Sequence, residues 1–286
     1  MTGRAMTPST RSSSIEAGAI RRVTSPTNPA VKAARALHQK KHRAATGLFL
    51  AEGLRILNEA VALGHAPRTL IVLPEMRRDR MGAPLIDACL DAGGEVLEVG
   101  EAVLAKVARK DNPQGAVGVF PQVWTELAEV DARDAFCWVV LEAPRDPGNV
   151  GTVLRTCDAV GAQGVILLDA ACDPYSLEGV RASMGSIFAQ RLVRTDFDAF
   201  ARWRARQGGW LVGTSLTAER DYQDVAYPRP TLLFMGNEQS GLPAAYEAAC
   251  DALVRLPMRG RADSLNVAVA TSVMLYEIYN QDRRAP

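Results

Sequence analysis

Between Phe136 and Leu168 the chain reads FCWVVLEAPRDPGNVGTVLRTCDAVGAQGVILL. The apolar run 136–141 is short, β-branched and aromatic, and it stops at a loop shaped by Pro144, Pro147 and Gly148, so it reads as a strand. Residues 150–160 then carry apolar positions at helical spacing, and Gly161 follows where a helix would end. A second apolar run, 165–168, closes the unit. Strand, loop, helix and strand within so few residues make a βαβ unit, which implies a parallel sheet with helices on its faces.

The same alternation continues on both sides of that unit. Towards the C-terminus come helices at 178–185 and 197–206, strands at 210–214, 232–235 and 252–256, a loop at 257–263 and a helix at 264–279. Towards the N-terminus a smaller α/β unit is expected. It comprises a helix at 30–37, a basic turn at 40–46, and a second helix introduced by Phe49 and Leu50 and carrying Leu54, Leu57 and Val61. Gly64 ends that helix, and a strand at 69–73, a helix at 85–92, a strand at 95–99, a helix at 102–108 and a strand at 116–120 follow. The polar stretch 126–134 reads as a linker. The chain is 286 residues long, enough for about two domains at roughly 100–200 residues each. The expected layout is therefore a disordered basic tail (1–24), an α/β domain (25–121), a linker (122–135) and a mostly parallel α/β domain (136–286).

Composition excludes several function classes. The apolar runs are far too short to span a bilayer, so no membrane partner is expected. The five cysteines (89, 137, 157, 172, 250) contain no C-x-x-C pair, and the three histidines are His38, His42 and His65. No metal site is expected from that spacing, and buried free thiols suit a reducing cytoplasm. No histidine in the second half is available as a catalytic base. The net charge of +1 conceals an asymmetry, because residues 1–50 hold nine basic groups against the single acid Glu16. A basic arm before a mildly acidic body favours a phosphate backbone as partner, although a solvated tail has the same composition.

Three loops after expected strands carry unusual residues, and ligands of open α/β sheets bind at the carboxyl ends of strands. In the first, 142–155, Asn149 is placed to cap the following helix and Arg155 lies six residues on. At about 100° per residue these two side chains do not share a helix face, so Asn149 reaches a site from the loop. By itself the segment also reads as an ordinary cap with a surface arginine. The second, 234–243, holds Gly236 and Gly241, which let backbone amides approach a ligand, with Asn237 and the acid Glu238 between them. It is neither a G-x-G-x-x-G turn nor a P-loop. In the third, 256–270, Asp263 or Ser264 caps the last helix. Asn266 falls inside its first turn, where asparagine is a mediocre helix former.

Together these loops spell N-x-G-x-x-x-R (Asn149, Gly151, Arg155), G-N-E-x-x-G-L (236–242) and P-M-x-G-x-x-x-S-L-N-V-x-V-A (257–270). In that order they resemble the three motifs of the SpoU (TrmH-like) family within the knotted SPOUT methyltransferases. The leading unit, from Phe49-Leu-Ala-Glu-Gly-Leu-Arg onward, resembles the substrate-binding domain that precedes many members. The resemblance implies a C-terminal trefoil knot, an exception to the rule that chains avoid knots. It also implies S-adenosylmethionine (SAM) as methyl donor and a homodimer paired through the knot. The activity implied is methylation of a ribose 2′-hydroxyl on a structured RNA, ribosomal RNA being favoured over tRNA. SAM would lie against Met235, Gly236, Asn237, Gly241, Leu256, Pro257, Met258, Ser264 and Leu265. Arg155 would act on the 2′-hydroxyl, with Asn149, Glu238, Ser264 and Asn266 organising the site around it.

A guanidinium stays protonated near neutral pH and is a poor base, so the resemblance leaves two roles open for Arg155. Either its surroundings make it a base, or it holds the ribose oxygen and a phosphate while the alkoxide forms. A dehydrogenase or a class I methyltransferase would need a glycine-rich first turn, and Glu98-Val-Gly100 starts one that no further glycine completes. A non-catalytic RNA-binding module would keep the basic arm but has no use for Asn149, Arg155, Glu238 and Asn266 together.

Overall fold

The structure, a computed structural model, describes residues 20–110 and 113–285. The expectation of disorder over residues 1–19 lies outside the described residues. The first unit holds β1 (Ile20–Val23), α1 (Pro29–Ala36), α2 (Lys40–Thr46), β2 (Leu48–Glu52), α3 (Leu54–Ala62), β3 (Thr69–Val72), α4 (Gly82–Asp91), β4 (Glu95–Val99), α5 (Glu101–Ala108) and β5 (Ala116–Pro121). Its strands form one sheet in the order β1-β4-β3-β5-β2, in which β5 runs antiparallel to both its neighbours.

The second unit holds β6 (Cys137–Glu142), α6 (Pro147–Val160), β7 (Gly164–Leu168), α7 (Leu177–Ser183), β8 (Arg191–Thr195), α8 (Phe197–Gln207), β9 (Trp210–Thr214), β10 (Arg220–Asp221), β11 (Thr231–Met235), α9 (Ala244–Glu247), β12 (Ala252–Arg255) and α10 (Val267–Asp282). Its seven strands lie in the order β10-β12-β9-β11-β6-β7-β8, and every pairing is parallel. The central strands β6, β7 and β11 are buried along almost their whole length, as expected for a sheet covered on both faces.

The structure corrects the sequence reading at several elements. Residues 20–23, assigned to the tail, form β1, paired in parallel with β4. The basic turn at 40–46 is the helix α2, ended by Gly47 at φ +64°. Residues 48–52, read as the approach to a helix, form β2, and β8 and β10 were not expected as strands. The polar stretch 126–134 contains two short 3₁₀ turns, and its Val130 is buried with its carbonyl accepting the Trp203 indole N–H at 3.1 Å. It is a packed strap, because Leu127, Val130 and Ala132 join a smaller apolar cluster with Trp138, Phe200 and Trp203 on the second unit.

One apolar core runs through both units. Phe49 from β2 and Phe120 from β5 pack against Tyr175 and Phe188, with Phe49 and Tyr175 centroids 4.7 Å apart. Such buried aromatic pairs add roughly 0.5–1.5 kcal/mol beyond their area. Beside them lies an ion pair taken almost fully out of water. The Arg43 guanidinium donates to Asp173 Oδ2 at 2.8 Å from Nε and to the Leu37 carbonyl at 2.7 Å. Arg181 of α7 pairs with the buried carboxylate of Glu52. Removing one partner of a buried pair strands the other charge, which costs about 3–5 kcal/mol. Arg43→Ala is therefore expected to lower the melting temperature by roughly 10 °C, at about 2–4 °C per kcal/mol for a chain of this class. A calorimetric melt within a degree or two of the parent would contradict this account.

Among the described residues no helix is long and apolar enough to cross a membrane, and no cluster of metal-binding side chains occurs. All five cysteines are free, and burial pushes the Cys89 thiol up to about 11 and the Cys137 thiol up to about 12.

Candidate active site

The carboxyl ends of β6, β9, β11 and β12 point the same way, and the loops leaving them meet there. The loop after β11 is closed on itself: Asn237 and Gly241 exchange both backbone hydrogen bonds, at 2.9 and 3.2 Å. Gly241 adopts φ +66°, which glycine reaches without steric cost. A Cβ on Gly236 would sit 2.3 Å from the Gly241 carbonyl carbon and from the Leu242 nitrogen, so only glycine fits. The Asn237 amide donates to Glu142 Oε2 at 3.1 Å, and its side chain donates to the Ala143 carbonyl at 2.8 Å. Burial raises the Glu142 carboxyl above its ordinary value, opposed by that amide bond, with the nearby Asp169 adding repulsion.

Two asparagines join the three loops. Asn266 donates through Nδ2 to Asn149 Oδ1 at 3.0 Å, and Asn149 donates through Nδ2 to Glu238 Oε1 at 3.1 Å. The other Glu238 oxygen accepts the Arg145 backbone N–H at 3.4 Å, and the Arg145 guanidinium reaches Gln239. The chain Asn266–Asn149–Glu238 thus links residues 117 and 89 positions apart in sequence. Asn266 is also the N-cap of α10, accepting from Ala268 and Val269 N–H, so neither Asp263 nor Ser264 caps that helix. The α6 cap is Asp146, which accepts from Gly148 N–H, and Asn149 is a first-turn residue of α6. In both helices a polar side chain with two hydrogen-bonding ends serves the backbone or the site, and periodicity alone does not say which.

These loops line a cleft of about 750 Å³, within the ~300–1,000 Å³ range of small-molecule sites. Of the residues expected to hold a cofactor, Met235, Gly236, Asn237, Gly241, Leu256, Met258, Ser264 and Leu265 line it, as do Glu238 and Asn266. Pro257 does not, although both its neighbours are close to the wall. Asn149 stands behind Glu238, and Arg155 lies outside the cleft, exposed on α6. Sequence reasoning missed Thr214 at the end of β9 and Ser215, Leu216 and Thr217 after it. The strand there was expected at 210–214, and the rule that ligands meet the carboxyl ends of strands would have flagged the next loop.

The lining chemistry suits a cationic ligand without phosphates. Glu238, Glu247 and Asp263 line the cleft, and its one guanidinium, Arg255, is paired with Asp221. A cleft lined largely by one sign of charge concentrates ligands of the other sign. Leu216, Met258 and Leu265, each more than a third exposed, offer uncovered apolar surface for a flat ring or a thioether chain. SAM, with a sulfonium, an adenine and no phosphate, fits this set.

Comparison with known proteins agrees with that reading. Residues 137–276 match the SpoU rRNA Methylase family, and residues 28–118 match the MRM3-like substrate binding domain. The chain is 33% identical to a 23S rRNA (uridine(2479)-2′-O)-methyltransferase of Streptomyces viridochromogenes, over 86% of this chain and 87% of that protein. It is 30% identical to the 23S rRNA (guanosine(2553)-2′-O)-methyltransferase RlmP of Bacillus subtilis (strain 168), over 91% and 99% respectively. Among solved structures, an AdoMet-bound rRNA methyltransferase from Sinorhizobium meliloti superposes with a TM-score of 0.85 at 43% identity, covering 93% of this chain and 99% of that one.

Proposed function

The chain belongs to the SpoU rRNA methylase family, and on that premise we propose that it transfers a methyl group from SAM to a ribose 2′-hydroxyl of ribosomal RNA. The observation that carries the proposal is the convergence of three distant loops on one acid-lined cleft through the Asn266–Asn149–Glu238 chain. Bound SAM supplies an electrophilic methyl group on a sulfonium.

The protein's own residues do the rest. The closed loop 236–242, Leu256, Met258, Ser264 and Leu265 hold the cofactor against backbone. Glu238, fixed by Asn149, puts negative charge on the cleft wall, where it would favour a cationic sulfonium. Arg155 holds the ribose oxygen and an adjoining phosphate as the hydroxyl gives up its proton to solvent water. Asn149 and Asn266 are positioning residues that fix the first turn of α6 relative to the cleft. Much of the rate gain from such a site is positional, because aligning nucleophile and electrophile removes up to about 7–11 kcal/mol of barrier.

The finer architecture belongs to the same proposal. The trefoil knot is supported by the chain path, in which β12 lies outside β9 while α10 returns to pack on α6. Pairing of two copies through this domain is supported by Leu265, Val269 and Tyr276. Val269 and Tyr276, seven residues apart, share one face of α10, Leu265 lies in the loop just before the helix, and the three are 48%, 53% and 40% exposed. The first unit selects the RNA target, and the enzyme works in the cytoplasm.

The test is a calorimetric titration of SAM into protein whose sedimentation mass is that of two chains, followed by mapping of ribose methylation in 23S rRNA incubated with it. One SAM bound per chain and a single new 2′-O-methyl site are expected. Absence of binding heat or of any new methyl would sink the assignment.

A further inference from the structure

A second concavity lies between the two units, away from the cofactor cleft. Its inner part, about 800 Å³, is lined by His38, Arg109, Gly148, Thr152, Glu178 and Arg181, among others. An adjoining hollow shares His38 and Arg109 and continues over Lys32, Arg35 and Lys106. The two form one trough that starts on the first unit and ends at the first turns of α6. We propose that this trough carries the phosphodiester backbone of the RNA substrate from the first unit to Arg155, a proposal that rests on the RNA methyltransferase reading above.

Charge is the first argument. Lys32 and Arg35 stand one turn apart on α1, and Lys106 and Arg109 stand one turn apart at the end of α5. All four are exposed, and none makes an ion pair among the described residues. Glu178 is the single acid on the wall, and Arg181 is already neutralised by Glu52. Burial, opposed by the hydrogen bond to the Val107 carbonyl, lowers the His38 imidazole from its usual value, and the nearby guanidinium of Arg109 lowers it further.

Rigidity is the second argument. His38 Nε2 meets the Val107 carbonyl at 2.7 Å, and Arg181 donates to the Ala108 carbonyl at 3.0 Å. The end of α5 is thus tied to the turn after α1 and to α7 of the other unit. Arg109 follows with φ +51°, a left-handed conformation uncommon for a side chain of its size.

Direction is the third. At about 100° per residue, Gly148, Thr152 and Arg155 fall within an arc of roughly 60° on α6, and Asn149 lies about 120° from Arg155. Helical side chains lean towards the N-terminus, so Arg155 leans over Thr152 at the trough's end. On one flank of α6 is the trough, on the other the Asn266–Asn149–Glu238 chain, and Arg155 stands where a strand laid in the trough would meet them.

The experiment measures binding of a fluorescein-labelled mixed-sequence oligoribonucleotide of about 20 residues, by anisotropy, between about 50 and 200 mM KCl. The trough variant is Lys32→Ala/Arg35→Ala/Arg109→Asn, asparagine being tolerated at the left-handed position. Each lost phosphate contact removes about 0.7 from the salt slope on a single strand, so the slope should fall by about two. The Kd at physiological salt should rise at least about tenfold, with SAM affinity and melting temperature unchanged. Arg78→Ala/Arg80→Ala, exposed cations elsewhere on the same unit, should leave both slope and Kd as in the parent. A trough variant that keeps the parental slope, or a control pair that loses as much, overturns the proposal. Methyl transfer to 23S rRNA is read separately. A parent protein with a trough-dependent slope but no transfer would remove the enzymatic reading and leave the trough standing.

Discussion

Arg155→Ala is expected to lower methyl transfer to ribosomal RNA by about 10²–10³-fold, the usual loss when a charged group that stabilises developing negative charge is removed. SAM affinity and melting temperature should not change. The reason is positional: Arg155 is exposed on α6, its side chain makes no hydrogen bond or ion pair among the described residues, and it lies outside the cleft. Its removal costs the fold nothing and the cofactor nothing, and leaves the 2′-oxygen without its cation. Arg155→Lys keeps a charge but not the two-pronged geometry that grips an oxygen and a phosphate together, so it should recover only part of the rate. A pH–rate profile separates the two roles open to this residue. If it only holds the oxygen and phosphate, the alanine variant is slower at every pH with the basic limb in place. If it were a base, that limb would move. An alanine variant retaining a third or more of the parental rate would remove Arg155 from the mechanism.

Gly236→Ala is expected to abolish measurable SAM binding in the calorimeter. The added methyl would lie 2.3 Å from two backbone atoms of the 241–242 turn, and backbone cannot move aside as a flexible side chain can. The loop must open, breaking the paired Asn237–Gly241 hydrogen bonds and pulling Asn237 from Glu142 and Ala143. Overpacking of this kind costs about 1–3 kcal/mol, which the rest of the domain tolerates, so the variant should fold with a modest drop in melting temperature. RNA affinity in the anisotropy assay should persist, because the trough lies on the other flank of α6. SAM affinity within about threefold of the parent would show that the loop backbone does not hold the cofactor.

The strands that sequence reading found and those it missed divide along a physical line. Those it found, β3, β4, β5, β6, β7, β9, β11 and β12, all have neighbours on both sides. The four it missed, β1, β2, β8 and β10, are the edges of the two sheets. An inner strand must be apolar and β-branched to be buried, which makes it readable. An edge strand can carry charges, as Arg21 and Arg22 in β1 and Arg191 and Arg194 in β8 do, because one side faces water. Its pairing is decided by the sheet already present, not by its own pattern.

The site divides the same way. The tight turn at 236–242 was legible because Gly236 and Gly241 are demanded by local backbone geometry, which leaves a mark at the residue itself. The placement of the loops after inner strands was legible as well, and with it the α/β class and the position of the three loops at the carboxyl edge. What Asn149 and Asn266 do was not legible. Each hydrogen-bonds to groups roughly a hundred positions away, and the cap that Asn149 was expected to provide is made by Asp146. The trough was equally invisible, since Lys32, Arg35, Lys106 and Arg109 look like solvated surface until α1 and α5 are packed together. Sequence alone determined what short-range backbone geometry and burial require. Tertiary structure decided which polar side chains meet, because their partners are set by chain path and not by neighbours in sequence.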